Sequence, residues 1–176
     1  MRILLAISLL ILGCNKTQEH TVTIRKGQRT DPRLPQLFMN AGHLSYSVEF
    51  TPSCRYDLGK DQGDVNKLFG FGYMPAHREN SVRLGWWYNP EADSIAIMAY
   101  WYDMGQRDYA FLRHVALSAV HQYTIVAQGD MHMMSIDNRL LKTVIVRRSG
   151  LSYGLFPYFG GSHPAPHDIH IKMRRL

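Results

Sequence analysis

Arginine, tyrosine and tryptophan side chains alternate with small residues along two neighbouring segments in the middle of the chain, 81–88 and 94–102. If the two segments form a hairpin with Arg83 opposite Tyr100, one face of the hairpin is wholly apolar, and a slip of one residue would bring Arg83 into that face. The other face then combines a cation, phenols and a stacking plane with open space above the sheet. We therefore predict a ligand-binding surface formed by Ser81, Arg83, Gly85, Trp87, Ala96, Met98, Tyr100 and Tyr102.

These residues, with a preceding lysine, resemble the motifs of polysaccharide lyase family 14. Asn66-Lys67-Leu68-Phe69-Gly70 is similar to the lysine element of the family, with Phe69 in place of a proline. The segments 81–86 and 100–102 are similar to its Ser-x-Arg and Tyr-x-Tyr elements. The family consists of jelly-roll enzymes of concanavalin-like architecture that act on alginate and related polyuronates. The resemblance implies that the cleft is lined by Lys67, Ser81, Arg83, Tyr100 and Tyr102.

Elimination at a uronate needs three groups, and the residue types present can supply them. A cation must neutralise the carboxylate, a base must remove the proton at C5, and an acid must protonate the leaving oxygen. The planar fork of Arg83 suits the carboxylate, while Lys67 adds charge or, with a depressed pKa, acts as the base. Neighbouring cations are expected to favour the phenolate of Tyr100 or Tyr102, so either tyrosine is a candidate base or acid. The sequence does not decide which tyrosine has which role.

Further residues are predicted to bind the substrate around these catalytic candidates. Trp87 stands at the end of the polar face, where an aromatic ring can stack on a sugar. His77 precedes Ser81 on the same connection and is a secondary candidate for the base. The predicted substrate-binding residues are Ser81, Trp87, Asn66 and His77.

The fold class follows from many short segments with two-residue alternation. The clearest is His43 to Phe50, where Leu44, Tyr46, Val48 and Phe50 point to one side. Turn signals such as Gly129-Asp130 separate the segments, and no long 3.6-residue periodicity occurs. We predict an all-β protein, an antiparallel β-sandwich or jelly roll of concanavalin-like architecture. Ten further strands are expected at 21–25, 67–73, 81–88, 94–102, 109–117, 123–128, 131–136, 141–148, 151–159 and 168–173.

The first residues have the pattern of a secretion signal. Arg2 precedes an apolar stretch from Ile3 to Leu12, and Gly13-Cys14 follows, which resembles the lipobox of bacterial lipoproteins. We predict a signal peptide at 1–13, lipidation of Cys14, a polar tether at 14–20 and one β-sandwich domain at 21–176. The protein would then be exported and held at a membrane by its lipid. A Cys14–Cys54 disulfide is the competing interpretation; without it Cys54 must be buried.

The composition restricts the partner. The formal net charge is +6 among 176 residues, and the pI near 9.4 indicates a polyanionic partner. Nucleic acid is disfavoured as the partner for two reasons. Export removes the protein from nucleic acid, and most of the basic residues are dispersed along the chain. The four glutamates are scattered, which does not fit a glycosidase with paired carboxylates. His163, His167 and His170 do not share a face, and no cysteine pair is spaced for zinc, so neither a metal nor a cofactor is expected.

Together these observations predict a lipid-anchored, monomeric polysaccharide lyase-like protein. It would bind an acidic, uronate-containing polysaccharide or cleave it by β-elimination. Two alternatives remain open. One is a carbohydrate-binding lipoprotein without catalytic activity on the same scaffold. The other is a surface protein whose sheet face contacts another protein.

Overall fold

Eleven β-strands account for the regular structure of the described residues, apart from two short 3-10 turns at 52–54 and 59–61. A computed structural model describes residues 19–33 and 42–176. Within those ranges, no helix is long and apolar enough to cross a membrane. The strands are β1 (His20–Ile24), β2 (His43–Phe50), β3 (Asn66–Tyr73), β4 (Ser81–Asn89), β5 (Ser94–Asp103), β6 (Gln106–Ala116), β7 (Val120–Gln128), β8 (Met131–Ile136), β9 (Arg139–Ile145), β10 (Ser152–Leu155) and β11 (Ile169–Arg175).

The strands form two antiparallel sheets that pack as a sandwich. One sheet has six strands in the order β1-β11-β2-β7-β8-β9, and the other has five in the order β10-β3-β4-β5-β6. Each predicted strand is present, and the bounds of β2 and β8 are those predicted. The largest difference is β10, which is shorter than the predicted 151–159, because the chain leaves the sheet after Leu155. The predicted antiparallel β-sandwich is therefore confirmed.

The hairpin of β4 and β5 has the register that the alternation predicts. Arg83 pairs with Tyr100, and Leu84 pairs with Ala99. The apolar face carries Val82, Leu84, Trp86, Ile97 and Ala99, all of which are buried in the core between the sheets.

Large aromatic rings from both sheets fill the centre of the core. Phe50 of β2 lies between Trp86 of β4, at 5.2 Å between ring centroids, and Tyr123 of β7, at 6.3 Å. All three side chains are buried, and tilted or edge contacts of this kind add to the free energy gained by removing their surface from water. The packed core therefore holds the two sheets, and the side chains on their outer surfaces, in fixed positions.

Only one of the two cysteines, Cys54, belongs to the residues that the structure describes. Cys54 is buried, its thiol lies 3.5 Å from the carbonyl oxygen of His170, and burial raises the pKa of the thiol. A buried, protonated thiol is unreactive. Burial is what we expected of Cys54 if it forms no disulfide with Cys14. Cys14 and the predicted signal peptide at 1–13 lie outside the described residues, as do residues 34–41.

A histidine buried in the core makes the stability of the fold depend on pH. His132 accepts a hydrogen bond from the hydroxyl of Tyr73 and donates one from Nδ1 to the carbonyl oxygen of Asp130, at 3.0 Å. The ring is fully buried, and burial lowers the pKa of His132. The folded state therefore keeps the ring neutral, whereas the unfolded chain binds a proton below about pH 6.5.

We expect the Tm to fall as the pH is lowered from 7 towards 5. The unfolded state binds more protons in this window, so this site reduces the free energy of unfolding by at most about 1.4 kcal/mol per pH unit. His132→Gln is expected to lower the Tm at pH 7 and to flatten the slope, while His43→Gln at the exposed start of β2 should leave both unchanged. Thermal unfolding followed by circular dichroism from pH 5 to 8 measures this. A wild-type Tm independent of pH in that window would contradict the expectation.

Candidate functional site

The candidate site lies on the face of the five-stranded sheet that points away from the core. Strand register places three rows of residues side by side across β3, β4 and β5. The rows are Gly72–Ser81–Tyr102, Gly70–Arg83–Tyr100 and Lys67–Gly85–Met98. We call the surface formed by Lys67, Ser81, Arg83, Met98, Tyr100 and Tyr102 the outer face. The structure thus brings the four predicted catalytic residues, Lys67, Arg83, Tyr100 and Tyr102, onto one surface.

A β-bulge in β3 places Lys67 on this face. Gly70 pairs with Arg83, so strict alternation would put Lys67 on the core side of the sheet. The register shifts between Lys67 and Phe69, and Lys67 then pairs with Gly85 on the Arg83 side. Leu68 and Phe69 both remain buried in the core. The extra residue therefore redirects the lysine without removing any apolar side chain from the core.

Glycines in β3 let the functional side chains lie flat on the sheet. A Cβ atom at Gly70 would come within 2.6 Å of the Cα and 2.9 Å of the Cγ of Arg83. A Cβ atom at Gly72 would come within 2.7 Å of the ring of Tyr153 and 3.0 Å of the Cβ of His77. Any larger residue at either position would displace the groups that surround the cavity described below.

Arg83 is the central cation of the outer face and is almost unpaired. The side chain is only 9% exposed, one terminal nitrogen donates to the carbonyl oxygen of Phe156 at 3.3 Å, and Nε has no partner. Burial lowers the pKa of Arg83 to about 10, although the surrounding tyrosines oppose this. The guanidinium therefore remains charged at neutral pH without an ion-pair partner among the described residues.

Lys67 is a second buried cation close to Tyr100. Its Nζ donates to the carbonyl oxygens of Val65, at 2.7 Å, and Gly160, at 3.2 Å, and lies 4.7 Å from the centroid of the Tyr100 ring. Burial lowers the pKa of Lys67 to about 8, and the nearby charge of Arg83 acts in the same direction. Lys67 is thus mostly charged at pH 7 and can lose its proton just above that pH.

The environment of Tyr100 is the reverse of the one we expected from the sequence. Tyr100 is only 5% exposed, and its hydroxyl donates to the hydroxyl of Tyr102 at 3.4 Å. Burial raises the pKa of Tyr100, and Tyr102 raises it further, whereas Arg107 acts in the opposite direction. Arg107 therefore does favour the phenolate, but desolvation is the larger effect and keeps the pKa of Tyr100 raised. Tyr100 is suited to donate a proton and not to remove one.

A cavity of about 220 Å³ lies next to Arg83 and contains His77. Burial lowers the pKa of His77, with Arg83 and Arg78 contributing, so the ring is mostly neutral at pH 7. Its Nδ1 lies 3.5 Å from the hydroxyl of Tyr153. The carboxylate in the cavity wall, Asp31, is already ion-paired to Arg33 at 2.7 Å. The lining includes Asp31, His77, Arg83, Tyr153, Phe156 and Tyr158.

Tyr153 is a site residue that the sequence interpretation missed. It pairs with Gly72, so it continues the row that contains Ser81 and Tyr102. The signal that could have found it is the alternation of β10 combined with its pairing to β3. That pairing is separated by more than seventy residues in the sequence, so local pattern alone does not reveal it.

Asn66 lies differently from the other predicted substrate-binding residues. Asn66 is buried, its Nδ2 donates to the hydroxyl of Tyr56 at 2.8 Å, and its Oδ1 accepts from the backbone of Gly160 at 2.5 Å. Its amide group is therefore engaged in holding the fold together and does not line the cavity. Trp87 is half-buried and packs with Val65 and the Met98–Tyr100 cluster. Ser81 is on the outer face, but it is buried and its Oγ has no partner.

The segment 158–163 closes the site beside Lys67 and is fixed from three sides. The backbones of Lys67 and Tyr158 exchange hydrogen bonds of 2.8 and 2.9 Å. The guanidinium of Arg29 donates to the carbonyl oxygens of residues 161, 162 and 163. Asp64 accepts hydrogen bonds from the backbone and hydroxyl of Ser162. These contacts preorganise the carbonyl of Gly160 that holds Lys67.

The chemistry of the described outer face is cationic and phenolic. Its strand positions carry no Asp or Glu in the ranges that the structure describes, which does not fit hydrolysis by paired carboxylates. Nor do any three His, Cys, Asp or Glu side chains of the described chain converge as metal ligands would.

Comparison with solved structures gives the fold a name. The alginate lyase AlyC3 superposes with a TM-score of 0.60 over 90% of this chain and 74% of that one, at 9% identity. The fold is a jelly roll. The same jelly roll occurs in Crh5 transglycosylase bound to NAG, with a TM-score of 0.56, 14% identity and coverage of 88% and 71%. It also occurs in a family 16 glycoside hydrolase from Bacteroides ovatus, with a TM-score of 0.51, 12% identity and coverage of 87% and 77%.

Comparison of the sequence itself with known proteins found no match. No protein-family model matches the chain, and no curated protein matches it. The predicted jelly-roll architecture is therefore confirmed by structure, while the resemblance to lyase family 14 remains a prediction.

Proposed function

We propose that this protein is an exported, lipid-anchored polysaccharide lyase that binds an acidic, uronate-containing polysaccharide on its outer face and cleaves it by β-elimination. The observation that carries the proposal is the pair of buried cations, Arg83 and Lys67, neither of which has an ion-pair partner in the described chain. The anchor would be the lipid on Cys14, followed by the tether at 14–20. The domain would then lie on the periplasmic or the cell-surface side of the membrane that holds it.

Arg83 and Lys67 are buried cations on the same face and have no ion-pair partner in the described chain, which favours an anionic ligand. Burying a charge without a counter-ion costs free energy, and a bound carboxylate returns that cost as binding free energy. Arg83 lines the cavity, and its guanidinium is a planar fork that matches the two oxygens of a carboxylate. A neutral sugar would leave the charge of Arg83 uncompensated, whereas the charge of Lys67 is already partly offset by Asp64. The ligand class that fits is therefore a uronate.

The groups around Arg83 provide the remaining steps of an elimination. Arg83 neutralises the carboxylate and so makes the proton at C5 more acidic. Neutral His77 accepts that proton, the bond between C4 and the glycosidic oxygen breaks, and a double bond forms between C4 and C5. The Tyr100–Tyr102 pair donates a proton to the leaving oxygen, since the raised pKa of Tyr100 keeps its phenol protonated. Lys67 remains charged beside Tyr100 and stabilises the oxygen as the bond breaks.

A binding protein without catalytic activity is the second candidate, and one observation favours it. Tyr100 is 5% exposed and Ser81 is 1% exposed, so the phenol that would act as acid is mostly covered. In that case Arg83 and Lys67 would hold the uronate, and no bond would break. A surface contact with another protein is the remaining alternative for the same face.

The decisive experiment measures binding and cleavage separately on the purified protein. With polymannuronate or another polyuronate, we expect binding by calorimetry and a growing absorbance of the unsaturated uronate product near neutral pH. Binding without product would identify the non-catalytic candidate. Neither binding nor product with any polyuronate, for a protein shown to be folded, would remove the proposal.

A further inference from the structure

A strip of exposed side chains runs along β6, at the open edge of the outer face. Strand register places Arg107 beside Tyr102, Tyr109 beside Tyr100, and Phe111 beside Met98. A register shift between Ile97 and Met98 then puts His114 beside Ala96. We call Arg107, Tyr109, Phe111 and His114 the edge strip. It is the direct continuation of the rows that contain Arg83 and Lys67.

The two aromatic rings of the edge strip are unusually accessible for residues of their size. Tyr109 and Phe111 are each 53% exposed, although the neighbouring Tyr100 and Met98 are buried. The ring of Phe111 lies 5.0 Å from that of His114. Arg107 is exposed and is close enough to Tyr100 to oppose the rise of its pKa. The strip thus offers flat apolar surfaces next to a positive charge.

We propose that the edge strip is an additional saccharide-binding subsite, which holds the sugar units of an acidic polysaccharide that flank the unit bound at Arg83. This inference rests on the proposed function and adds the direction of the ligand. The polysaccharide crosses the strands from β4 over β5 to β6. Tyr109 and Phe111 stack on sugar rings, and Arg107 pairs with a carboxylate of a flanking unit.

Geometry and charge both favour this occupant. Adjacent strands are about 4.8 Å apart, so the path from β4 to β6 measures roughly 10 Å, which is comparable to the length of a disaccharide. Stacking on an aromatic face needs no deep pocket, which suits two half-exposed rings on an edge strand. A purely apolar strip would be typical of a protein interface, but this one has Arg107 at one end, and it joins a surface that already has two unpaired cations.

The test compares short and long ligands on a double variant, Tyr109→Ser with Phe111→Ser. We expect affinity for mannuronate oligosaccharides of six or more units to fall by about five- to tenfold, while affinity for the mannuronate monosaccharide, which occupies only the position at Arg83, stays unchanged. The matched control is Leu140→Ser with Ile145→Ser, which removes two apolar side chains of comparable or greater exposure from β9 of the other sheet. Calorimetry gives both affinities, and sedimentation gives the oligomeric state.

The outcomes separate this inference from the proposed function. If the wild-type protein binds no uronate of any length, the proposed function fails, and the inference fails with it. If the wild-type protein binds but the double variant binds the long ligands as tightly as the wild-type protein does, only the edge strip is excluded. A change in oligomeric state of the double variant, without a change in affinity, would assign β6 to contact between copies of the chain and would overturn the inference.

Discussion

Replacing Arg83 with methionine is expected to abolish uronate binding while leaving the fold as stable as before or more stable. The depressed pKa of Arg83 means that burial of its charge costs on the order of 3 kcal/mol at neutral pH. Methionine keeps an unbranched apolar stem above Gly70 and removes that cost. Without the guanidinium, the substrate carboxylate loses its bidentate partner, and affinity should fall by a factor of about 100 or more. Calorimetry measures the affinity, and thermal unfolding measures the stability.

Two further variants make this result interpretable. Arg83→Lys keeps the charge but loses the planar fork, so most of the affinity should still be lost. Arg113→Met is the matched control, because Arg113 belongs to β6 of the same sheet but lies 3.7 Å from Asp137, in the turn between β8 and β9 of the other sheet. It should leave binding unchanged. A large fall in Tm for Arg83→Met with intact binding would mean that Arg83 serves only the fold.

Replacing His77 with glutamine is expected to reduce kcat by a factor of about 100 to 10,000 while changing substrate affinity little. The reason is that His77 acts on the proton at C5 and not on the carboxylate. His167→Gln is the matched control, because His167 is exposed in the C-terminal segment and is bonded to the carbonyl oxygen of Ser53. Initial rates from the absorbance of the unsaturated product measure the effect. A His77→Gln variant with normal kcat would exclude His77 as the base.

The pH dependence of kcat/KM distinguishes His77 from Lys67 as the base. With His77 as the base, activity rises as its ring loses a proton, and this limb lies below pH 6.5 because the pKa of His77 is lowered. Activity then falls as the pH passes through about 8, where Lys67 loses its charge. A rising limb near pH 8 would instead show that neutral Lys67 removes the proton.

Much of the fold could be predicted from local pattern. The two-residue alternation in β2, β4 and β5 determines which side chains face the core, because a slip would bury Arg83 among apolar residues. The pairing of Arg83 with Tyr100 follows from that constraint and is the register observed. A positive φ angle at Gly129 fits the turn signal Gly129-Asp130, which lies between β7 and β8.

The candidate site could be predicted only in part, because several of its features depend on partners far apart in the chain. Lys67 reaches the outer face through a β-bulge that the sequence of its own segment does not predict. Asn66, next to it, is bonded to Tyr56 and Gly160 instead of lining the cavity. Tyr153 joins the site through the pairing of β10 with β3.

The alternation of the sequence thus determined by itself an antiparallel all-β fold and one polar face centred on Arg83 and Tyr100. Only the tertiary structure decided the electrostatics of that face. Phe156, Gly160 and the packed sheet remove Lys67, Arg83 and Tyr100 from water, and that loss of solvent outweighs the mutual effects of the charges. Desolvation depends on every atom surrounding a group, so no local pattern of residues contains it.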